Sequence, residues 1–302
     1  MKNKIKHFLN INELKSADIF KIIKKSHELK LNYGEKKLET KNILAMIFEK
    51  PSTRTRVAFE VGMKQLGGDV VVLDQGETQL GRGETLQDTI QVLSRYVDII
   101  MYRGSNENKL YKMAEHSSIP IINGLTDNSH PCQILADIMT LEERFSSTDN
   151  LEITWVGDGN NVCNSWIHAC PHFNFNFNIS CPRGFFPEKK LIERYNKKKN
   201  ITIFLDPKKA VANSDVIITD TWFSMGMEND RDKAGQFKEF QVNKDLYNLA
   251  LKKPFFLHCL PAHRNIEVTS DIIDGKKSLV WDEAENRLYV HQAIILWCLE
   301  KI

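Results

Sequence analysis

Long apolar runs are missing from this 302-residue chain. None reaches the roughly 18 residues that a bilayer-spanning helix needs, so no membrane partner is expected. An excess of one charge is missing too. The 41 Lys and Arg nearly balance 39 Asp and Glu, and the net charge of +2 gives no electrostatic footprint for nucleic acid or an anionic lipid surface. Short basic stretches such as Lys197-Lys198-Lys199 read as solvated faces. Cysteine is sparse and unpatterned: Cys132, Cys163, Cys170, Cys181, Cys259 and Cys298 include no Cys-x-x-Cys pair. A chain this long does not need disulfide staples, so a reducing compartment is expected. Met1-Lys2-Asn3-Lys4 is basic, but Asn10, Asn12, Glu13 and Lys15 interrupt any signal-peptide core, and a cytoplasmic location is expected.

What is present is a globular composition, 42% hydrophobic and 26% charged, long enough for two domains that each bury a core. Short apolar strands alternate with helical patterns. Helical spacing over 12–32 (Leu14, Ile19, Ile22, Ile23, Leu29) precedes a strand Ile43–Phe48. A helix over Val57–Leu66, a short buried strand Val70–Leu73, a helix Leu86–Tyr96, and strands Ile99–Tyr102 and Ile119–Ile122 follow. A long helix starts near Pro131, a residue suited to the first helical position, and runs to about Phe145. After the polar break Ser146–Asn150 the pattern restarts, with strands Ile153–Val156, Ile179–Ser180, Ile201–Ile203, Val216–Ile218, Phe255–Leu257 and Leu279–Trp281. A C-terminal helix over Ala284–Ile302 closes the chain. Such alternation predicts an α/β fold with two doubly wound parallel-sheet domains. Ligands then sit beyond the carboxyl ends of strands, and two such sheets face to face would put a two-substrate site in the cleft between them.

The unusual residues fall at those strand ends. Ser52-Thr53-Arg54-Thr55-Arg56 stands where the first strand gives way to a helix, just after Pro51. Free amides and the helix dipole make that end an anion site, and guanidinium forks match phosphate oxygens. A capped surface helix with solvated arginines is the plainer alternative, but it does not need two arginines and three hydroxyls in five positions. Arg103 closes another strand; it is either a surface charge or a group able to hold the carbonyl oxygen of an acyl phosphate. His130-Pro131-Cys132-Gln133 opens the long helix. Its His can polarise a carbonyl, and its Gln amide can both accept from and donate to a carbamoyl group. Gly157-Asp158-Gly159-Asn160-Asn161 lacks the third glycine of a dinucleotide fingerprint, so no nicotinamide cofactor is expected, and its paired asparagines suit an amino-acid backbone. Asp220, before Thr221-Trp222-Phe223-Ser224-Met225-Gly226, is either a turn residue or a ligand for an ammonium group. In His258-Cys259-Leu260-Pro261-Ala262-His263 the flanking histidines can lower the thiol pKa; a buried structural cysteine is the alternative. Neither this segment nor His168, Cys170 and His172 has the paired spacing of a structural zinc site, so no metal and no cofactor is expected.

Ser52–Arg56, His130–Gln133, Asp220 with Ser224-Met225-Gly226, His258–Pro261 and Glu285-Asn286-Arg287 resemble, in order and at matching intervals, the motifs of the aspartate/ornithine carbamoyltransferase family. The arginine and His-Pro motifs are shared across that family, whereas the Ser-Met-Gly and His-Cys-Leu-Pro motifs resemble its ornithine branch. The resemblance implies a carbamoyl-phosphate domain over 1–148, an ornithine domain over 149–284, and a final helix, 285–302, crossing back to the first. It implies transfer of the carbamoyl group of carbamoyl phosphate to the δ-amine of L-ornithine, giving citrulline and phosphate in arginine biosynthesis or a urea-cycle-type step. A sister activity on putrescine or an acylated ornithine is the alternative. It also implies a homotrimer, with Gln79 reaching a neighbouring subunit's phosphate. By the same resemblance Ser52, Thr53, Arg54 and Thr55 hold phosphate. Arg103, His130, Pro131, Cys132, Gln133, Cys259, Leu260 and Arg287 form the carbamoyl pocket. Asn161, Asp220, Ser224 and Met225 bind ornithine, and Cys259 is the proton acceptor, with Arg103 and His130 as its catalytic partners. The chain departs from the pattern at Asn265, where glycine is common.

Overall fold

A computed structural model describes residues 5–33, 40–74, 83–223 and 231–302. The chain divides into two compact units, one of residues 1–139 with 285–302 and one of 140–284.

The first unit is built on a four-stranded parallel sheet of β1 (Ile43–Phe48), β2 (Asp69–Asp74), β3 (Ile99–Arg103) and β4 (Ile121–Leu125), in the order β2-β1-β3-β4. Helices α1 (Ser16–Leu31), α2 (Thr53–Gln65), α3 (Leu86–Tyr96) and α4 (Glu107–His116) alternate with the strands, and α5 (Pro131–Phe145) follows β4. The central β1 and β3 are almost wholly apolar and buried, as a parallel sheet covered on both faces requires. β2 lies at the sheet edge, and its Val71 is exposed. The expected buried strand over Val70–Leu73 is therefore a half-covered edge, which apolar content alone does not distinguish.

The second unit holds a five-stranded parallel sheet of β5 (Glu152–Val156), β6 (Asn176–Ser180), β7 (Ile201–Phe204), β8 (Val216–Ile218) and β9 (Phe255–Leu257), ordered β7-β6-β5-β8-β9. Its helices are α6 (Asn161–Ala169), α7 (Lys189–Tyr195), α8 (Pro207–Val211), α9 (Arg231–Phe237), α10 (Lys244–Tyr247) and α11 (Ser270–Ile273). The Asn-Phe alternation before Ile179 belongs to β6 and its approach. Phe175 and Phe177 pack on Trp166, with ring centroids at 5.4 and 5.8 Å, while Asn176 and Asn178 donate to the Glu152 carboxylate on β5. Period-two patterning of this kind is a strand signal.

One expectation fails. Leu279–Trp281 is not a strand; Val280 opens α12 (Val280–Cys298). Pairing with β9 stops at the isolated Phe256–Ser278 bridge, and Glu283 N–H already donates to the Leu279 carbonyl at 2.8 Å. Asp282 and Glu283 in the first turn favour a helix start through the dipole. Beyond residue 285, α12 belongs to the first unit. There the Gln292 amide donates to Gly62 O and Gln65 Oε1, the Trp297 indole donates to Asp18, and the His291 ring stacks on Phe59 at 3.8 Å.

Both sheets have a topological switch point. Strand order reverses between β1 and β3 in the first unit and between β5 and β8 in the second. Crevices beyond the carboxyl ends of those strand pairs are where open α/β sheets bind ligands.

Candidate active site

At the first switch point, β1 ends at Phe48 and α2 begins at Thr53, with Ser52 as its N-cap. The Ser52 hydroxyl accepts the Thr55 N–H at 3.3 Å, which orients the first turn and leaves other helix-start amides to face an anion. Thr55 is fully buried. Its Oγ1 accepts from Arg103 Nη1, at the end of β3, and from Arg287 Nη2, on α12, both at 2.8 Å. A hydroxyl has two acceptor lone pairs and one proton. Both lone pairs face guanidinium groups, so the proton of Thr55 is directed elsewhere, as a donor. Arg54 is half-exposed, whereas the exposed Arg56 pairs with Asp74 on the edge strand at 3.3 Å.

His130 immediately precedes α5, and Pro131 is that helix's first residue, as expected. Burial, reinforced by the positive charges of Arg287 and Arg103 and by His291, drives the His130 pKa well below its ordinary value. The imidazole is thus neutral, a form suited to polarising a carbonyl without adding charge. Gln133 is buried on the first turn, and its Nε2 donates to Asp137 Oδ1 at 2.8 Å. Cys132 turns toward the sheet instead: its thiol donates to the Asn123 carbonyl on β4. Burial pushes its pKa up to about 12 against the pull of Arg287 and a backbone hydrogen bond. A place for Cys132 in the pocket falls to its backbone.

At the second switch point, β5 runs into Gly157, whose φ of +131° belongs to glycine, and Gly159, where a Cβ would strike Pro187 and the Phe185 carbonyl. These glycines serve a tight turn, consistent with the missing dinucleotide fingerprint. Asn160 caps α6 by accepting the Val162 and Cys163 N–H groups. Its Nδ2 donates to Asp220 Oδ2 at 2.7 Å, two residues beyond the end of β8. The Cys259 thiol, two residues after β9, donates to the other Asp220 oxygen at 3.2 Å. Asp220 is nearly buried and Cys259 is half-exposed. Asn161, the first residue of α6, is half-buried beside them.

The loop that carries Cys259 is fixed from several sides. His258 N–H donates to Glu283 Oε2, and Leu260 N–H donates to His258 Nδ1, both at 3.0 Å. Leu260 holds φ +59°, a strained setting of the kind that collects at functional sites. His258 Nε2 faces Glu267 at 3.3 Å, and His263 Nδ1 meets Thr221 Oγ1 and Glu267. These histidines hold Leu260, Thr221 and Glu267, while the thiol proton goes to Asp220. Asp220, His258 and Cys259 bring one ligand atom each within 4.8 Å of one another. With His258 Nδ1 accepting from Leu260 N–H and the Cys259 thiol donating to Asp220, the trio is already joined by protein hydrogen bonds suited to proton handling. Asn265 takes φ +64° and donates its N–H to Val268 O at 2.7 Å. Asparagine tolerates that left-handed conformation, so the backbone keeps the course that glycine would give it.

Of the expected residues, Gln79, Ser224 and Met225 lie outside the described residues. Ser52, Thr53, Arg54, Thr55, Arg103, His130, Pro131, Cys132, Gln133 and Arg287 fall in the first unit, and Asn161, Asp220, Cys259 and Leu260 in the second. Sequence reasoning missed Asn160 as the anchor of Asp220, and it missed Asp137 behind Gln133. A buried Asp one helical turn after Gln133 was a readable signal. It also missed Lys233, which meets Asp158 at 2.7 Å between the Phe185 and Phe237 rings. Burial raises the Asp158 pKa, Lys233 opposes that rise, and Asp220 adds to it.

Two parallel α/β units define an enzyme class: one with a guanidinium–hydroxyl anion pocket, the other with a carboxylate–thiol pair, each at a switch point. The comparisons agree. A family model described as the aspartate/ornithine carbamoyltransferase carbamoyl-P binding domain matches residues 6–143, and one described as the Asp/Orn binding domain matches 149–298. Ornithine carbamoyltransferases of Ruthia magnifica and Nitrobacter winogradskyi are 47% and 45% identical, over 98% and 97% of this chain and 99% and 97% of theirs. The solved ornithine carbamoyltransferase of Pyrococcus furiosus superposes with a TM-score of 0.94 at 41% identity, covering 98% of both chains. The anabolic enzyme of Campylobacter jejuni gives 0.91 at 35%, covering 99% of this chain and all of its own. The chain belongs to the aspartate/ornithine carbamoyltransferase family and is a carbamoyltransferase. Among the described residues, no helix is long and apolar enough to cross a membrane.

Proposed function

We infer that this carbamoyltransferase uses L-ornithine, converting it with carbamoyl phosphate to citrulline and phosphate. The observation that carries the carbamoyl-phosphate half is the convergence of Arg103 and Arg287 on the buried Thr55 hydroxyl, at a helix N-terminus. Full-length similarity to ornithine carbamoyltransferases supports ornithine over putrescine or an acylated ornithine. We assign carbamoyl phosphate to residues 1–148 with 285–302, and ornithine to 149–284.

In the reaction the neutral δ-amine attacks the carbamoyl carbon. A C–N bond forms, the tetrahedral intermediate collapses, and the C–O bond to phosphate breaks. Ser52, Thr53 and Arg54 hold the phosphate, which leaves as a dianion. Arg103, His130 and the Thr55 hydroxyl donate to the developing oxyanion, each worth roughly 10²- to 10³-fold in rate. Gln133 and Leu260 receive the carbamoyl NH₂. Asn161 and Asp220, with Ser224 and Met225, hold the amino-acid end of ornithine. The proton lost by the amine passes to Cys259, whose own proton is already directed at Asp220; a thiol-to-carboxylate relay follows. An alkyl ammonium has a pKa near 10.4, so turnover rises toward alkaline pH. No cofactor is needed, because the acyl phosphate is already activated. A place in arginine biosynthesis, a cytoplasmic location and a homotrimer in which Gln79 serves a neighbouring subunit are the family-based parts of this reading.

The test is a citrulline assay with carbamoyl phosphate and each candidate amine. Ornithine-dependent citrulline and phosphate in equal amounts are expected. Turnover with putrescine or an acylated ornithine, and none with ornithine, would overturn the assignment.

A further inference from the structure

We propose that Asp137 is a positioning residue that fixes which end of the Gln133 amide faces the bound acyl phosphate, and so selects a carbamoyl over an acetyl group. This rests on the carbamoyl-phosphate reading above. Gln133 and Asp137 stand four residues apart on α5, one above the other on the same face. Both are buried, and Gln133 Nε2 donates to Asp137 Oδ1 at 2.8 Å. A carboxylate only accepts hydrogen bonds, whereas an amide offers a donor at one end and an acceptor at the other. Asp137 therefore captures the NH₂ end, and the carbonyl end is turned away from it.

A carbamoyl group carries an NH₂ donor where an acetyl group carries a methyl. An amide oxygen aimed at that position bonds the first and is left unsatisfied by the second. Sites built to pair a substrate N–H reject analogues lacking it by roughly 10⁴-fold or more. Were the amide reversed, its NH₂ would meet the substrate's NH₂, donor against donor. Asp137 touches no reacting atom; it acts through the direction it imposes on Gln133.

The test is a swap. Gln133→Glu places a carboxylate against the Asp137 carboxylate, removes the donor between them and adds a negative charge. The expected loss in kcat/KM for carbamoyl phosphate is roughly tenfold to hundredfold, the range for a buried group deprived of its partner. Adding Asp137→Asn restores the original charge and reverses the bond. The new amide at position 137 donates to one oxygen of the carboxylate at position 133, and the other oxygen accepts from the carbamoyl NH₂. Recovery of most of the loss in the double variant is expected, together with renewed preference for carbamoyl phosphate over acetyl phosphate as a competing ligand. Inhibition by inorganic phosphate, which has no NH₂, should be the same in the wild type and the double variant, which carry equal charge. A double variant no better than Gln133→Glu alone overturns the proposal. Asp137→Ala in the unchanged background is the second arm. It should lower kcat/KM for carbamoyl phosphate about tenfold, and unchanged selectivity overturns the proposal equally. Wild-type protein that makes no citrulline would instead remove the functional reading on which this one stands.

Discussion

Thr55→Val replaces a hydroxyl by a methyl at a fully buried position. It takes away the acceptor shared by Arg103 and Arg287. Hydrogen bonds to charged groups contribute roughly 1.5–3 kcal/mol each, and bonds to one atom are not additive, so about 3 kcal/mol is the working figure. For a protein of this size, that lowers the melting temperature by roughly 6–12 °C at about 2–4 °C per kcal/mol. In the proposed mechanism the same hydroxyl donates to the developing oxyanion, so catalysis should lose more than stability does. Its removal should cut kcat by roughly 10²- to 10³-fold. Thr55→Ser keeps the oxygen and its proton and should stay near wild type in both respects. Scanning calorimetry with and without carbamoyl phosphate, alongside steady-state citrulline formation, reads both numbers. A Thr55→Val protein that melts and turns over like the wild type would mean that the two guanidinium groups are organised by something other than this hydroxyl.

Two further outcomes follow from titratable groups. His130 and His291 are held well below the ordinary imidazole pKa, and His168 is lowered to about 4, by burial first and by neighbouring arginines second. Below the ordinary imidazole pKa of about 6.5 the unfolded chain gains protons that the folded one refuses, so stability is intact above that pH and falls as pH drops. Each imidazole contributes about 1.4 kcal/mol between roughly pH 7.5 and 5.5, or about 4 kcal/mol for the three. Urea unfolding of His291→Gln should show about one third less pH dependence; an unchanged dependence refutes the account. Cys259→Ala should lower kcat and weaken ornithine use while leaving the KM for carbamoyl phosphate nearly constant. Kinetics equal to wild type in both substrates would remove the thiol from the proton path.

The fold was legible wherever period and punctuation agreed. β1, α3, α5, β8 and β9 have the bounds expected from their apolar runs, because short buried strands in parallel sheets read as unbroken apolar blocks. Leu279-Val280-Trp281 shows the limit of that rule: an apolar run leads into a helix, opened by Val280, when acidic residues follow at once. β2 shows another, since an edge strand and a central one can carry the same residues. Site residues were legible where a motif resemblance named them, at strand ends and helix starts. What stayed hidden was hydrogen-bond direction. Asn160 and Glu283 touch the named residues from a neighbouring turn or a distant element with no local spacing to announce them, and the i, i+4 spacing of Asp137 places it beside Gln133 without saying which end of the amide it holds. The flanking histidines of Cys259 were visible, yet their partners, Glu267 and Thr221, come from other segments of the fold.

Direction also explains why so many of these groups are buried. A hydroxyl, an amide or a thiol can turn either way in water, and the choice costs little. Inside the protein, each has a partner that permits one choice. Two guanidinium groups leave Thr55 only its proton to offer, Asp137 turns the Gln133 amide, and Asn160 holds the Asp220 carboxylate that receives the Cys259 proton. Reorientation during reaction is then unnecessary, which is the physical content of electrostatic preorganisation. The consequence is an ordering of substitutions by chemistry rather than by volume. A change that alters size but keeps donor and acceptor in place, such as Thr55→Ser, should cost less than an equal-volume change that erases or reverses them, such as Thr55→Val or Gln133→Glu. If size governed instead, the serine variant with its lost methyl would be the most impaired of the three, and the donor–acceptor account of both clusters would fail together.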